Sequence, residues 1–573
     1  MSKIVYLCAR KNHPLPFRGQ AMEQVLSRLA PDNIVPSPPR ILQDRGRLIG
    51  IFNPCASLPV EGCSVCLGAF FDRLEDWWRP GARVPDGSFA LFRSDGQTLE
   101  LSTDVVASRT IWYAQTPDLF IAATSQRAIV CFLQSFEPNP AALPWMLSSG
   151  TLGPGFSWDR RIQCLGADCL LRLDRESWAL DIARKPVVFK PIHLPVQEHR
   201  QRLLAAIEET FEQIDPDAAK WVLPLSGGYD SRAILMMLKN RSGLKTVTWG
   251  LQSAPDNPRS DARFARELAS RVGVEHQYWH TDSADESVDR IFGRFLAAGE
   301  GRIDNLAGYM DGFAIWKRLF EQGYQGVLRG DEAFGCRAVK KDRDVYRNMN
   351  LLVLSDFANV GTQAPGFDLR EQQRPGTLER AAHESREQWR DRVNTEFEIP
   401  FVFAALSDLK LGYVEIIQPL LSRRIVEQVR TLPDELRTGK SLFKKIVQGM
   451  EPKLGFAKDP AIASLANILT TRAVVETMGE KLEQVARQPG TIAQLASRAL
   501  VVVNEKEASP KPRSRPRNVD RILRLAGRLL GATDRQPLLL DPHRFAFRVY
   551  TIAVMTEMLG ADAAAVETAG NPT

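Results

Sequence analysis

The chain has 573 residues, more than one hydrophobic core normally supports, so two large domains are the natural expectation. Apolar residues make up 44% and charged residues 25%, which excludes the disordered and fibrous classes. A net charge of +6 from 74 basic and 68 acidic residues is mild for this length and does not by itself imply nucleic acid, which is not the expected partner.

The N-terminal MSKIVYLCARKNHP has no apolar core of signal-peptide length, and nothing later offers the roughly 18 uninterrupted apolar residues a spanning helix needs. The expectation is a cytoplasmic protein with no membrane partner. Cys8, Cys55, Cys63, Cys66, Cys131, Cys164, Cys169 and Cys336 are too scattered for a disulfide framework. Cys63 and Cys66 lie in CSVCLGAFF, which reads as a buried strand, and lack the further ligands of a zinc tetrahedron.

Residues 1–190 read as a β-rich first domain. RLIGIF, DGSFALFRSDGQTLELS and DLFIAATS carry β-branched or aromatic residues between turn signals. From 196 the pattern changes to strand-then-helix units: the helical HRQRLLAAIEETFEQI, then WVLPLSGG, DSRAILMMLKN, KTVTWG and SDARFARELASRVG. Such alternation predicts a parallel sheet and a second domain over 196–573. Beyond 340 the chain reads as mostly helical, with a loop at GTQAPGFDLREQQRPGT. The basic, proline-rich ASPKPRSRPRN suggests a disordered loop over 505–518. A last helix, RFAFRVYTIAVMTEML, has the periodicity of a docked element.

The most informative segment is VLPLSGGYDS, where an apolar strand runs into Ser226-Gly227-Gly228 and then into a helix. Glycines there let backbone N–H groups approach an anion, Ser226 adds a hydroxyl donor, and the helix N-terminus adds partial positive charge. Phosphate is the expected guest, and Asp230 has a purpose there if it holds Mg²⁺ against phosphate oxygens. The same residues also fit a glycine turn with Asp230 capping the helix. A second motif, VLRGDEAFG, spans Val327 to Gly335.

SGGYDS resembles the pyrophosphate-binding signature of N-type ATP pyrophosphatases, and VLRGDEAFG is similar to the G-x-D-E-x-F-G segment of asparagine synthetases. The resemblance implies ATP as substrate, with Asp230 and Asp331 holding magnesium and pyrophosphate. Leu225, Thr248 and Trp249 would contact the base, and Ser226, Gly227, Gly228, Ser231, Gly330 and Glu332 would bind or support the phosphates. Asp261 is left between a helix cap and a ligand. EIIQPLLSRRIVEQVRTLPDELRTGKSLFKK at 415–445 is similar to the helices that close the family's synthetase domain. Downstream the family places a mobile lysine that steadies charge on the adenylated carboxylate; Lys458 is favoured here, with Lys453 as the alternative.

The implied fold is α/β: an N-terminal Ntn-type α+β sandwich, then a doubly wound parallel-sheet ATP pyrophosphatase domain with a helical C-terminal part. LIGIFN, DGSFALF, TDVVASRTIWYA and LFIAATS resemble the family's glutaminase frame, yet Ser2 stands where the nucleophilic cysteine is expected. No Asn-Gly pair occurs in the first 190 residues to form its oxyanion hole, and residues 1–47 precede the segment resembling the family's first strand. Leu328 replaces a Tyr or Glu base, and Ile417 replaces the Arg of E-x-R-x-P.

The function these residues imply is an ATP-dependent ligase that forms acyl-AMP from a small-molecule or peptide carboxylate and passes it to an amine or ammonia, without glutamine hydrolysis. Alternatives are a macrolactam synthetase of lasso-peptide type, a silent nucleotide-binding partner in a biosynthetic complex, and a tRNA-modifying enzyme. The last would want catalytic cysteine pairs and a strongly basic face. Oligomeric state is not readable.

Overall fold

The computed structural model describes residues 3–55, 57–214, 217, 220–281, 284–360, 372–450, 452–508 and 538–566. Ser2, most of the GTQAPGF loop and residues 509–518 of the basic stretch lie outside the described residues. Residues 505–508, expected in a loop, instead finish the helix Thr491–Ala508, as their Glu, Lys and Ala composition favours.

The N-terminal half forms two antiparallel sheets of six strands. Twelve strands build them: β1 (Lys3–Ala9), β2 (Arg40–Asp44), β3 (Arg47–Phe52), β4 (Val60–Glu61), β5 (Ser64–Phe70), β6 (Gly87–Ser94), β7 (Thr98–Thr103), β8 (Trp112–Gln115), β9 (Leu119–Ala123), β10 (Gln163–Cys164), β11 (Cys169–Asp174) and β12 (Leu180–Arg184). The first sheet runs β10-β8-β9-β1-β3-β2 and the second β12-β11-β7-β6-β5-β4. Successive side chains of a strand point to opposite faces. Ile4, Tyr6 and Cys8 therefore enter the core between the sheets, while Val5 and Leu7 pack outward under the helices Gly19–Arg28 and Gln126–Leu133.

The 47 residues ahead of LIGIF are thus no simple extension. They supply β1, the strand between β9 and β3, with Val5 opposite both Gly50 and Ala123. All eight cysteines are free thiols, and Cys66 is buried in β5.

The second half is built on five parallel strands: β13 (Trp221–Pro224), β14 (Lys245–Gly250), β15 (Glu275–His280), β16 (Gly326–Leu328) and β17 (Glu415–Ile417), in the order β15-β14-β13-β16-β17. Both faces are covered, as a parallel sheet requires. Leu223, Leu328 and Ile417 face one helical layer, including Val196–Gln213, Tyr229–Leu238 and Ser441–Gln448. Val222, Val247, Val327 and Ile416 face another, including Val288–Gly299 and Ala314–Glu321. Strand order reverses between β13 and β16, and the crevice beyond the carboxyl ends of such a pair is where this architecture binds ligands.

The helix Pro542–Ala563 joins the halves. Its Phe545, Val549 and Met555 belong to the same apolar cluster as Val5 and Leu7. Asp562 accepts from Arg127 Nε at 2.7 Å and Arg28 Nε at 2.9 Å. Further along the boundary Arg423 forks onto Asp168 at 2.7 and 2.8 Å, and Arg109 meets Glu415 in a buried pair. No helix among the described residues is long and apolar enough to cross a membrane.

Candidate active site

β13 ends at Pro224, and the chain turns through Leu225 to Gly228 before the helix Tyr229–Leu238 begins. The Leu225 N–H donates to the Val247 carbonyl at 2.8 Å, which ties the turn to β14. Ser231 Oγ accepts the Ser226 N–H at 3.0 Å and lies 3.0 Å from Ser226 Oγ, which in turn accepts the Gly228 N–H at 3.2 Å. The two serines hold the loop in a tight hydroxyl-braced turn. Gly228 is the helix N-cap and no side chain caps this end, so Asp230 is not a cap. The helix's positive end remains available to an anion.

Packing dictates the glycine at 227. A Cβ there would stand 2.4 Å from the Ala457 Cβ and 2.9 Å from the Phe264 Cβ. Residues 454–459 lie directly on the turn and the helix after it. The Ala457 N–H donates to the Gly227 carbonyl at 3.1 Å, Phe456 stacks on Tyr229 at 3.8 Å, and Arg232 donates to the Leu454 carbonyl at 2.8 Å. The Gly227 N–H points to Asp261 Oδ1 at 3.0 Å. Ser260, not Asp261, caps the helix Asp261–Val272, so the Asp261 carboxylate is the anion that the glycine turn faces.

The two sequence motifs touch. A Cβ on Gly330 would meet the Asp230 Cβ at 2.9 Å and the Ser231 nitrogen at 3.2 Å, so GDE can sit against SGGYDS only through a glycine. Lys440 Nζ lies 3.0 Å from both oxygens of Asp230 and 2.7 Å from Glu332 Oε1. Burial raises the Asp230 carboxyl, and Lys440 and Lys444 oppose that rise. Burial likewise lifts Glu332 to about 7 against the pull of Lys440, while Asp230 adds to the rise. Lys440 itself is held above the ordinary lysine range: burial works against its charge, but the two carboxylates outweigh it.

Asp331 behaves oppositely. Burial disfavours its charge, yet Arg329, Gln418 and Lys410 hold it below the usual carboxylate range. Arg329 lies 3.1 Å from it, and Gln418 Nε2 donates to Oδ2 at 2.7 Å. Lys410 is buried nearby with its amine pushed well down by burial and by Arg329. Leu328 lies in the core below β16, and Ile417 packs beside it, so neither reaches the crevice.

Residues 219–405 match the sequence model described as asparagine synthase. Over this segment the chain is similar to asparagine synthases. That family uses ATP as a substrate and its chemistry is of ligase type. No curated protein matches the chain. The asparagine synthase match contains both motifs, whereas Gln418, Lys440 and residues 454–459 complete the same crevice from beyond it.

Most residues named from sequence gather here: Leu225, Ser226, Gly227, Gly228, Asp230, Ser231, Gly330, Asp331 and Glu332 share the β13/β16 crevice. Thr248 is buried with its hydroxyl on the Leu225 carbonyl, and Trp249 packs edge-on to Trp316 with 5.4 Å between ring centroids. Lys453 and Lys458 lie on the docked 454–459 strap and its approach, with exposed side chains. The cation between Asp230 and Glu332 is Lys440, which sequence reasoning passed over inside RTGKS. Its signal is faint: Gly439 and Lys440 both take left-handed backbone conformations, aiming the amine inward from a tight turn.

Proposed function

We propose that the protein activates a carboxylate as acyl-AMP, releasing pyrophosphate, and passes the acyl group to an amine without hydrolysing glutamine. The observation that carries this reading is the meeting of SGGYDS and GDE around Lys440 at the strand-order reversal of a parallel sheet. The turn and helix end would bind the phosphates, Thr248, Trp249 and Leu225 the base, and Lys453 or Lys458 the charge that builds on the adenylated carboxylate.

Asp230 and Asp331 would hold Mg²⁺. Among the described residues no cluster of three or more His, Cys, Asp or Glu is placed to hold a metal. Two carboxylates suit magnesium, which commonly binds one or two of them and fills its other positions with water and phosphate. Magnesium, when bound there, neutralises charge on the pyrophosphate leaving group. The protein's own part is positioning: Arg329 and Gln418 keep Asp331 ionised and oriented, Lys440 compensates Asp230 and Glu332, and the 454–459 strap shields the turn from water. Asp261 must release the Gly227 N–H for a phosphate oxygen to take its place.

ATP–pyrophosphate exchange with magnesium, across carboxylates that include aspartate and glutamate, tests the proposal beside Asp331→Asn. The expected result is exchange with one acid, reduced on the order of a hundredfold or more in the variant. Tight ATP binding with no exchange for any acid would replace the ligase with a silent nucleotide-binding partner.

A further inference from the structure

Behind the Asp331–Glu332 loop lies a cavity of about 340 Å³, walled by Glu332, Cys336, Arg337, Asn394, Glu398 and Phe403 among others. Its far wall is unusual: residues Asn394–Phe403 form a π-helical segment containing Pro400. Such widened turns are uncommon and gather at functional sites. In this one Asn394 and Glu398, four residues apart, both face the cavity.

Glu398 is only 7% exposed. Its carboxyl accepts from one group, Asn350 Nδ2, at 3.1 and 3.4 Å to its two oxygens. No lysine or arginine among the described residues forms an ion pair with it, and burial pushes it up to about 8. Asn394 is 8% exposed and lines the same cavity. A buried carboxyl without a cation is costly, and such groups persist where a partner compensates them. The cavity therefore offers a carboxyl group that ionises near pH 8 and an amide oxygen, beside Arg337 and Glu332, with Met349 and Phe403 as apolar surface. That set suits a primary ammonium group on a short carbon chain.

We infer that this cavity receives the ammonium group of the acceptor amine, held by Glu398 and Asn394. The inference rests on the ligase reading, because Glu332 belongs at once to the cavity wall and to the Lys440 cluster. An acceptor seated there stands beside the loop that handles the activated carboxylate. Cavity size restricts it to a small amine or the end of a longer chain.

The test uses the full-length protein and a panel of methylamine, propylamine, 1,3-diaminopropane and glycinamide, with binding read by saturation-transfer NMR from pH 7 to 9. At least one amine should bind wild type, and more tightly as pH rises through about 8, where Glu398 becomes the charged partner. Glu398→Gln should weaken that binding at least tenfold and flatten its pH dependence. Asn394→Leu should weaken it while keeping the pH dependence, which a merely structural role for Glu398 would not produce. No binding to wild type, or binding unchanged in Glu398→Gln, overturns the inference. Failure of the ligase reading shows separately, as no exchange by wild type with any acid.

Discussion

Replacing Lys440 by methionine removes the charge that two half-buried carboxylates share. Lys440 lies 3.0 Å from Asp230 and 2.7 Å from Glu332, with about a quarter of its side chain exposed. At an effective dielectric near 20 each contact carries a gross attraction of about 5–6 kcal/mol, most of it offset by desolvation. Removing one partner of a fully buried pair costs about 3–5 kcal/mol; with Lys440, Asp230 and Glu332 exposed by 25%, 30% and 15%, solvent screening brings the cost here to about 1–3 kcal/mol. The loss depends on pH, and its sign follows from Glu332. Its folded value, about 7, lies above the ordinary glutamate value of 4.5, so the folded protein favours the protonated acid and loses stability as pH rises between those values. At pH 8 Lys440→Met leaves an ionised Glu332 without its cation, whereas at pH 5 Glu332 is already neutral. Urea unfolding should therefore show a loss of about 1–3 kcal/mol at pH 8 and a smaller one at pH 5. Adding Glu332→Gln should remove most of the difference. Equal losses at both pH values would refute the shared-cation reasoning.

Gly227→Ala should drive the 454–459 strap off the turn, at a cost of about 1–3 kcal/mol, because the new Cβ would stand 2.4 Å from Ala457. Trypsin should then cut faster at Lys453 and Lys458, while Gly479→Ala, whose Cβ meets nothing within 4 Å, leaves the cleavage rate unchanged. Glu398→Gln should also change stability. Wild type loses about 1.4 kcal/mol per pH unit between 4.5 and about 8 because the folded state holds the proton, and the glutamine variant has no such slope. Thermal denaturation from pH 5 to 9 should show the variant gaining on wild type up to about pH 8 and the gap constant above it. A constant gap throughout would mean that Glu398 is not held neutral.

Much of the fold was readable in the chain. The change from turn-separated strands to strand–helix units marks the passage from antiparallel sandwich to parallel sheet, because the two arrangements bury different faces and demand different connections. SGGYDS and GDE were readable through their paired resemblance to the motifs of one family, since the glycine turn taken alone fits a capped helix start equally well. β1 was not. KIVYLCA is buried on both faces, so it shows no alternation, and only pairing with β3 and β9 reveals it as an interior strand of its sheet.

What the sequence determined is local: which segments alternate, which turn can cradle phosphate, which carboxylates lie at strand ends. Tertiary structure decided which distant groups complete them. Lys440 lies 210 residues from Asp230 and Gln418 lies 87 from Asp331, and neither carries a local pattern. The π-helical turn that aims Asn394 and Glu398 into one cavity leaves no periodic trace either. A side chain's charge is written in the sequence, but its burial and its partner exist only once the chain has closed around them.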